Sequence, residues 1–175
     1  MALRPAKCYR KIERPWTRIS KKKPKKSYVK GVPAKKIVKF EMGDSKRKYD
    51  VRGFLVAQQA VQIRHNALEA ARVAANRYLD KFVGKDSYFL KVLVYPHHVL
   101  RENAIATGAG ADRFQTGMRK AFGKPVGTAA QVRPNQRLLE VRVEKAKERE
   151  IKEALRRASA KFPTTCRIVI EDAPN

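Results

Sequence analysis

From residue 34 onward the hydrophobic positions of the chain switch between two periods. KKIVKFE and KYDVRGFLVA are short, rich in Val, Ile, Phe and Tyr, and bounded by polar runs, which predicts strands. QQAVQIRHNALEAARVAANRYLDKF contains no Gly or Pro and is dense in Ala. Within it Val61, Leu68, Ala71, Ala75, Tyr78, Leu79 and Phe82 recur at helical spacing, so one helix is expected, buried on that stripe and ended by Gly84. Arg64, Arg72 and Arg77 fall largely off the stripe. SYFLKVLVYPHHVLRE then reads as an apolar strand, a break at Pro96 and a shorter strand. GTAAQV and RLLEVRVE alternate as strands around a turn at Arg133-Pro134-Asn135. A second helix, roughly Lys145 to Lys161, places Ile151, Ala154, Leu155 and Ala158 on one face, and TTCRIVIE closes the chain as a strand. This order predicts an α+β fold: a two-layer sandwich of mixed or antiparallel strands with both helices packed on one face. No internal repeat is present.

The first residues follow neither period. Pro5, Pro15, Pro24 and Pro33 forbid a continuous helix, so residues 1–33 are expected to form an arm on a single domain spanning 34–175. Charge sharpens this picture. The 175 residues hold 41 Lys and Arg against 16 Asp and Glu, a formal net charge of +25. Residues 1–50 alone carry 18 basic and 4 acidic side chains. Such an excess needs a polyanion, and nucleic acid is the expected one because each phosphate contact also releases condensed counterions. No lipid anchor or apolar span suggests a membrane. MALRPAKCYR has charges where a secretion signal would have an apolar run, so no such signal is expected.

Within the arm, WTRISKKKPKKSYVKG interleaves aromatic rings with cations. Cations neutralise phosphates, and flat rings stack on unpaired bases or pack on sugars. A plain solubilising tail would have little use for Tyr9, Trp16 and Tyr28. The expected RNA-binding residues of the arm are Arg4, Lys7, Tyr9, Arg10, Arg14, Trp16, Arg18, Lys21, Lys22, Lys23, Lys25, Lys26, Tyr28 and Lys30. Arg64, Arg72 and Arg77 are expected to present the long helix to an RNA backbone.

The glycine-rich stretch GAGADRFQTGMRKAFGKP, Gly108 to Pro125, invites comparison with nucleotide-hydrolysing loops. The spacing rejects it. Five residues, not four, separate Gly117 from Gly123-Lys124, and Pro125 stands where a magnesium-holding hydroxyl is needed. Arg113 occupies the third glycine position of a dinucleotide fingerprint. What remains is a long basic loop at about 102–125 whose glycines permit close backbone approach to a phosphate chain. Elsewhere, His65 reads as a helix-face contact, and His97 and His98 point to opposite faces of a strand. Cys8 and Cys166 lack metal-ligand spacing and read as two free thiols. Glu144, Glu148 and Glu150 interleave with cations as a solvated, ion-paired helix face. No cofactor, metal site or catalytic set is expected, which argues against an RNA-modifying enzyme. A duplex-DNA binder would share the charge logic and is separated by preference for folded RNA.

MALRPAKCYR, GVPAKKI, QIRHNALEAARVAANR and GAGADRFQTGMRKAFGKPVGTAAQV closely resemble the archaeal and eukaryotic L-ten-e ribosomal proteins, members of the universal L-sixteen family. The similarity runs along essentially the whole chain. It implies an α+β sandwich with a hammerhead-like β motif, a structural, non-enzymatic role in the large ribosomal subunit, and a cytoplasmic location on the ribosome. It also implies contacts with large-subunit rRNA, 5S rRNA, tRNA near the aminoacyl and peptidyl sites, and neighbouring large-subunit proteins, without homo-oligomers. In that family the loop matching Gly108–Pro125 extends towards the peptidyl-site tRNA. The residues expected to serve it here are Gly110, Arg113, Gln115, Thr116, Gly117, Met118, Arg119, Lys120 and Lys124.

Overall fold

The computed structural model describes residues 4–16, 22, 23, 25, 29–103, 108–110, 117–119 and 121–172. In chain order the regular elements are β1 (Glu41–Gly43), β2 (Val51–Ala57), β3 (Val61–Arg64), α1 (His65–Phe82), β4 (Phe89–Val92), β5 (His98–Glu102), β6 (Lys124–Val132), β7 (Arg137–Val143), α2 (Glu148–Ser159) and β8 (Cys166–Asp172). Among the described residues 3-10 turns also occur at Ala6–Tyr9 and Lys145–Lys147. The strands divide into a large antiparallel sheet, β1-β4-β7-β2-β8, and a small one, β3-β6-β5.

The large sheet is two-faced because its strands alternate. Val51, Gly53 and Leu55 of β2 pair with Val143, Val141 and Leu139 of β7 and face the helices. Ile151, Ala154, Leu155 and Ala158, the stripe expected for α2, are all buried against them. The helix lies so close that a Cβ on Gly53 would stand 2.2 Å from the Ile151 Cγ2. Only a residue without a side chain permits that approach. The opposite face carries Phe54, Phe89, Lys91, Glu140 and Arg142. Three of its cations are paired, Arg142 with Glu140 at 2.5 Å, Lys91 with Glu41 at 2.6 Å and Arg137 with Glu171 at 2.8 Å, while the buried Nε of Arg52 has no hydrogen-bond partner.

α1 buries Leu68, Ala71, Ala75, Tyr78 and Leu79 as its spacing predicts. The Tyr78 hydroxyl donates to Glu150 of α2 at 2.5 Å, and the Tyr88 hydroxyl bonds Asn76 and Asp80 at 2.8 and 2.6 Å. Both aromatic residues therefore use a polar tip to tie α1 to its neighbours.

The expected α+β sandwich forms, with both helices over one face, but several element boundaries differ, among them the start of β6 at Lys124, inside the expected loop. Val61 and Ile63 belong to β3, not to the helix, and are buried at period two on the core side, while Gln62 is buried on the other. The strand runs directly into α1 at His65 with no loop, so no Gly or Pro marks the change. The strand expected over KKIVKFE forms a ladder only at Glu41–Gly43. Phe82, expected on the buried stripe, is 44% exposed.

Candidate nucleic-acid interface

Among its described residues the arm has no strand, so their backbone groups must find partners elsewhere. Residues 4–16 find them across one face of the small sheet. At the β3 edge the Gln62 backbone N–H donates to the Arg10 carbonyl at 3.0 Å, and its amide donates to the carbonyls of Tyr9 and Lys11 at 3.2 and 2.5 Å. On β6 the Gln131 amide donates to the Glu13 carbonyl at 2.7 Å. At the β5 edge the Val99 N–H donates to the Trp16 carbonyl at 3.3 Å, and the Trp16 N–H donates to His98 Nδ1 at 2.9 Å. The arm thus crosses all three strands and caps both open edges of the sheet, which would otherwise be templates for foreign strands. Arg64 donates to the Arg4 carbonyl at 2.9 Å and lies 5.6 Å over the Tyr9 ring.

This binding consumes backbone, not charge. Lys7, Arg10, Lys11 and Arg14 project outward and are exposed. Lys7, Arg10 and Lys11 have no carboxylate partner among the described residues, unlike Arg142, Lys91 and Arg137 of the large sheet's outer face. Lys22, Lys23, Lys25 and Lys30 are exposed as well.

β5 and β6 form a hairpin whose connection is the basic loop, and its base is built from residues of three segments. The Arg101 guanidinium sits 3.8 Å over the Phe122 ring and 4.8 Å over Trp16, and Trp16 meets Phe122 edge-on at 5.2 Å. Arg101 also donates to the Phe122 carbonyl. Gly123, at φ +77°, lets the returning chain pass Glu102, where a Cβ would stand 2.6 Å from its carbonyl carbon. Lys124 then opens β6 opposite Glu102. The Gly-Lys of a phosphate-binding hydrolase loop opens a helix instead.

Two buried histidines fasten this assembly. His98 Nδ1 accepts from Trp16, and His65 Nδ1 accepts the Lys36 N–H at 3.0 Å. A ring nitrogen that accepts leaves the proton on Nε2. Burial lowers both pKa values below the ordinary histidine value; Lys36, Arg64 and Lys35 lower that of His65 further. For His98, Arg101 also lowers the value while Glu13 opposes the shift. Both rings are therefore neutral at pH 7 and fasten backbone N–H groups through Nδ1. Cys8 and Cys166 are free, and burial pushes the Cys166 thiol up to about 11, far from a reactive thiolate.

Of the expected site residues, the structure gathers Arg4, Lys7, Tyr9, Arg10, Arg14, Trp16 and Arg64 along the small sheet. Trp16 is half-buried in the loop base. Arg72 is only 14% exposed at its side chain and is held by Glu69 through two bonds of 2.9 and 2.5 Å. In the loop Gly117, Met118 and Arg119 are exposed, as is Lys124 at its end, while Gly110 is half-exposed. Arg18, Lys21, Lys26, Tyr28, Arg113, Gln115, Thr116 and Lys120 lie outside the described residues. Glu144 and Glu150, expected to pair along their own helix, turn instead to Arg47 and Tyr78, while Glu148 pairs with Lys152.

Of a second basic feature only Arg77 was expected from the sequence. Arg77 and Lys81 of α1 and Arg157 and Lys161 beyond it line a groove of about 650 Å³ floored by Tyr78 and Phe82. Arg157 lies 4.3 Å over Tyr78 and Lys81 5.3 Å over Phe82. Each pair is spaced i,i+4 near a helix C-terminus, where cations complement the helix dipole. That spacing was the available signal.

A sequence profile of the family described as ribosomal protein L16p/L10e matches residues 17–169. Relatives named large ribosomal subunit protein uL16 align over nearly the full length. The Staphylothermus marinus protein is 56% identical over 172 residues, covering 98% of this chain and 95% of its own. That of Hyperthermus butylicus is 52% identical over 174 residues, covering 96% and 93%. The Archaeoglobus fulgidus protein is 48% identical over 171 residues, covering 98% and 94%. A basic arm strapped across a small sheet, a basic hairpin loop and this match lead to one conclusion: the chain belongs to the ribosomal protein L16p/L10e family of the large ribosomal subunit.

Proposed function

We propose that this protein, a structural and non-catalytic constituent of the large ribosomal subunit, holds rRNA chiefly through its arm and guides tRNA with its hairpin loop. One observation carries the reading. From Tyr9 to Trp16 the arm's backbone is hydrogen-bonded to the small sheet, while Lys7, Arg10, Lys11 and Arg14 project outward. A backbone so anchored presents charges at set positions, so less ordering entropy is lost on RNA binding than for a loose tail.

On this reading Arg4, Lys7, Arg10, Arg14, Lys22, Lys23, Lys25 and Lys30 meet rRNA phosphates, together with Arg18, Lys21 and Lys26. Tyr9, Trp16 and Tyr28 pack against sugars or bases. Arg64 and Arg77 extend the surface, whereas Arg72, expected to join them, is neutralised by Glu69. The loop residues Gly110, Arg113, Gln115, Thr116, Gly117, Met118, Arg119, Lys120 and Lys124 face tRNA near the aminoacyl and peptidyl sites. A 5S rRNA contact is part of the proposal without assigned residues. Partners among neighbouring large-subunit proteins fit the same placement.

Two variants separate arm from loop. Replacing Lys7, Arg10, Lys11 and Arg14 with Ala should weaken binding to large-subunit rRNA and reduce the slope of log K against log salt by about 3, at 0.7–0.9 per phosphate contact. Replacing Arg113, Arg119 and Lys120 with Ala should leave subunit incorporation largely intact and weaken tRNA binding. The reverse pattern would overturn this division. Equal affinity for duplex DNA and folded rRNA at matched salt would favour the DNA-binding alternative.

A further inference from the structure

Beneath the arm lies a cavity of about 250 Å³ that no contact described above employs. Arg4 and Tyr9 roof it, Arg64 and His65 form the strand-to-helix wall, and Glu102 and Val126 close it from the hairpin. Val126 owes its position to a β-bulge. The β5–β6 register passes from Leu100↔Gly127 to Arg101↔Pro125, leaving Val126 as the extra residue. A bulge re-aims the side chain it releases. Val126 is 37% exposed although the next four residues of its strand are buried.

The polar groups point the same way. Because His65 Nδ1 accepts from Lys36, its Nε2–H is a donor on the cavity wall. A Cβ on Gly127 would lie 3.5 Å from Nε2, so glycine keeps that edge clear. Tyr9 offers a flat ring covered on one side by Arg64. Cations dominate the rim, and the one lining carboxylate, Glu102, has Arg4 at 3.9 Å.

We propose that this cavity receives one unstacked nucleotide of the large-subunit RNA, its base between Tyr9 and Val126 and its phosphate at Arg4 and Arg64. His65 Nε2–H donates to an acceptor on the base edge, and Glu102 accepts from a base N–H. Splayed bases are recognised in this way, by a ring, an apolar wall and an edge hydrogen bond, with cations on the backbone. The apolar side chain of a neighbouring protein would fill the volume but would leave the cationic rim and the His65 donor without partners. The proposal rests on the rRNA-binding reading above and adds a base-specific contact to it.

Large subunits depleted of this chain and refilled with the full-length protein provide the test, read by base-directed chemical modification of the RNA. The wild-type chain should protect one unpaired nucleotide that Val126→Trp exposes again, while Val126→Ala, which leaves the slot open, keeps it protected. Its reactivity should rise about tenfold or more, the equivalent of one lost base stack, with protections elsewhere unchanged. Identical profiles for wild type and Val126→Trp would overturn the proposal. So would unchanged RNA reactivity with an altered cross-link to a neighbouring protein, which identifies a protein occupant. If refilling with wild type protects no nucleotide at all, the rRNA-binding reading itself falls. If Val126→Trp does not enter subunits, the wild-type chain is titrated with the four nucleoside 5′-monophosphates. Saturable NMR shifts at the His65 ring and Gly127 amide support the slot, and their absence overturns it.

Discussion

Gly53 sets how closely α2 can lie on the large sheet. A methyl group there would meet Ile151 Cγ2 at 2.2 Å and Leu155 Cδ1 at 3.2 Å, both belonging to side chains fixed in the core. Gly53→Ala should therefore destabilise the fold by about 1–3 kcal/mol, the usual cost of overpacking. Urea unfolding should show a lower midpoint with an unchanged slope; an unchanged midpoint would mean that α2 shifts without penalty. The histidines supply a second test at this scale. Their folded-state pKa values lie below the ordinary 6.5, so the unfolded chain takes up protons first as pH falls. Stability is thus complete above about pH 6.5 and declines below it, towards the folded-state values. Thermal unfolding at pH 7.5 and 5.5 should show a lower Tm at the acid value. The difference should shrink in a variant combining His65→Gln and His98→Gln.

Among the elements, the arm and the hairpin are one mechanical unit because Trp16, Arg101 and Phe122 stack at their junction. Arg101→Ala removes the cation from both rings and the donor from the Phe122 carbonyl. Limited proteolysis should then cut faster both in the arm and in the hairpin loop. Acceleration in the loop alone would show that the arm is held independently by Gln62 and Gln131. This junction was not legible in the sequence, since its members stand far apart in the chain and only folding makes them neighbours. The helices were legible because Leu68, Ala71, Ala75 and Leu79, and Ile151, Ala154, Leu155 and Ala158, repeat at one period. The start of α1 was not, because β3 passes into the helix without a turn residue. Gln62 is the clearest lesson at the site. A glutamine in an apolar run reads as a surface residue, yet here it is buried because the arm supplies carbonyl acceptors for both its backbone and its side chain.

At the scale of the whole molecule, charge is unevenly paired. On the outer face of the large sheet Arg142, Lys91 and Arg137 each have a carboxylate partner, and such pairs have little net attraction for a polyanion. The arm has the opposite arrangement, with outward cations on a backbone anchored to the small sheet. The inter-helix groove of Arg77, Lys81, Arg157 and Lys161 is a second concentration of cations, in which Arg157 is paired with Glu153 at 2.8 Å. Among the described residues no helix is long and apolar enough to cross a membrane, and no cluster of His, Cys, Asp or Glu has the makings of a metal site. Residence in the large ribosomal subunit is read by sedimentation of native extract. Most of the protein should migrate with large subunits and whole ribosomes, and move towards the top of the gradient as salt screens the arm. A protein found at low salt with free proteins at the top of the gradient would contradict the account.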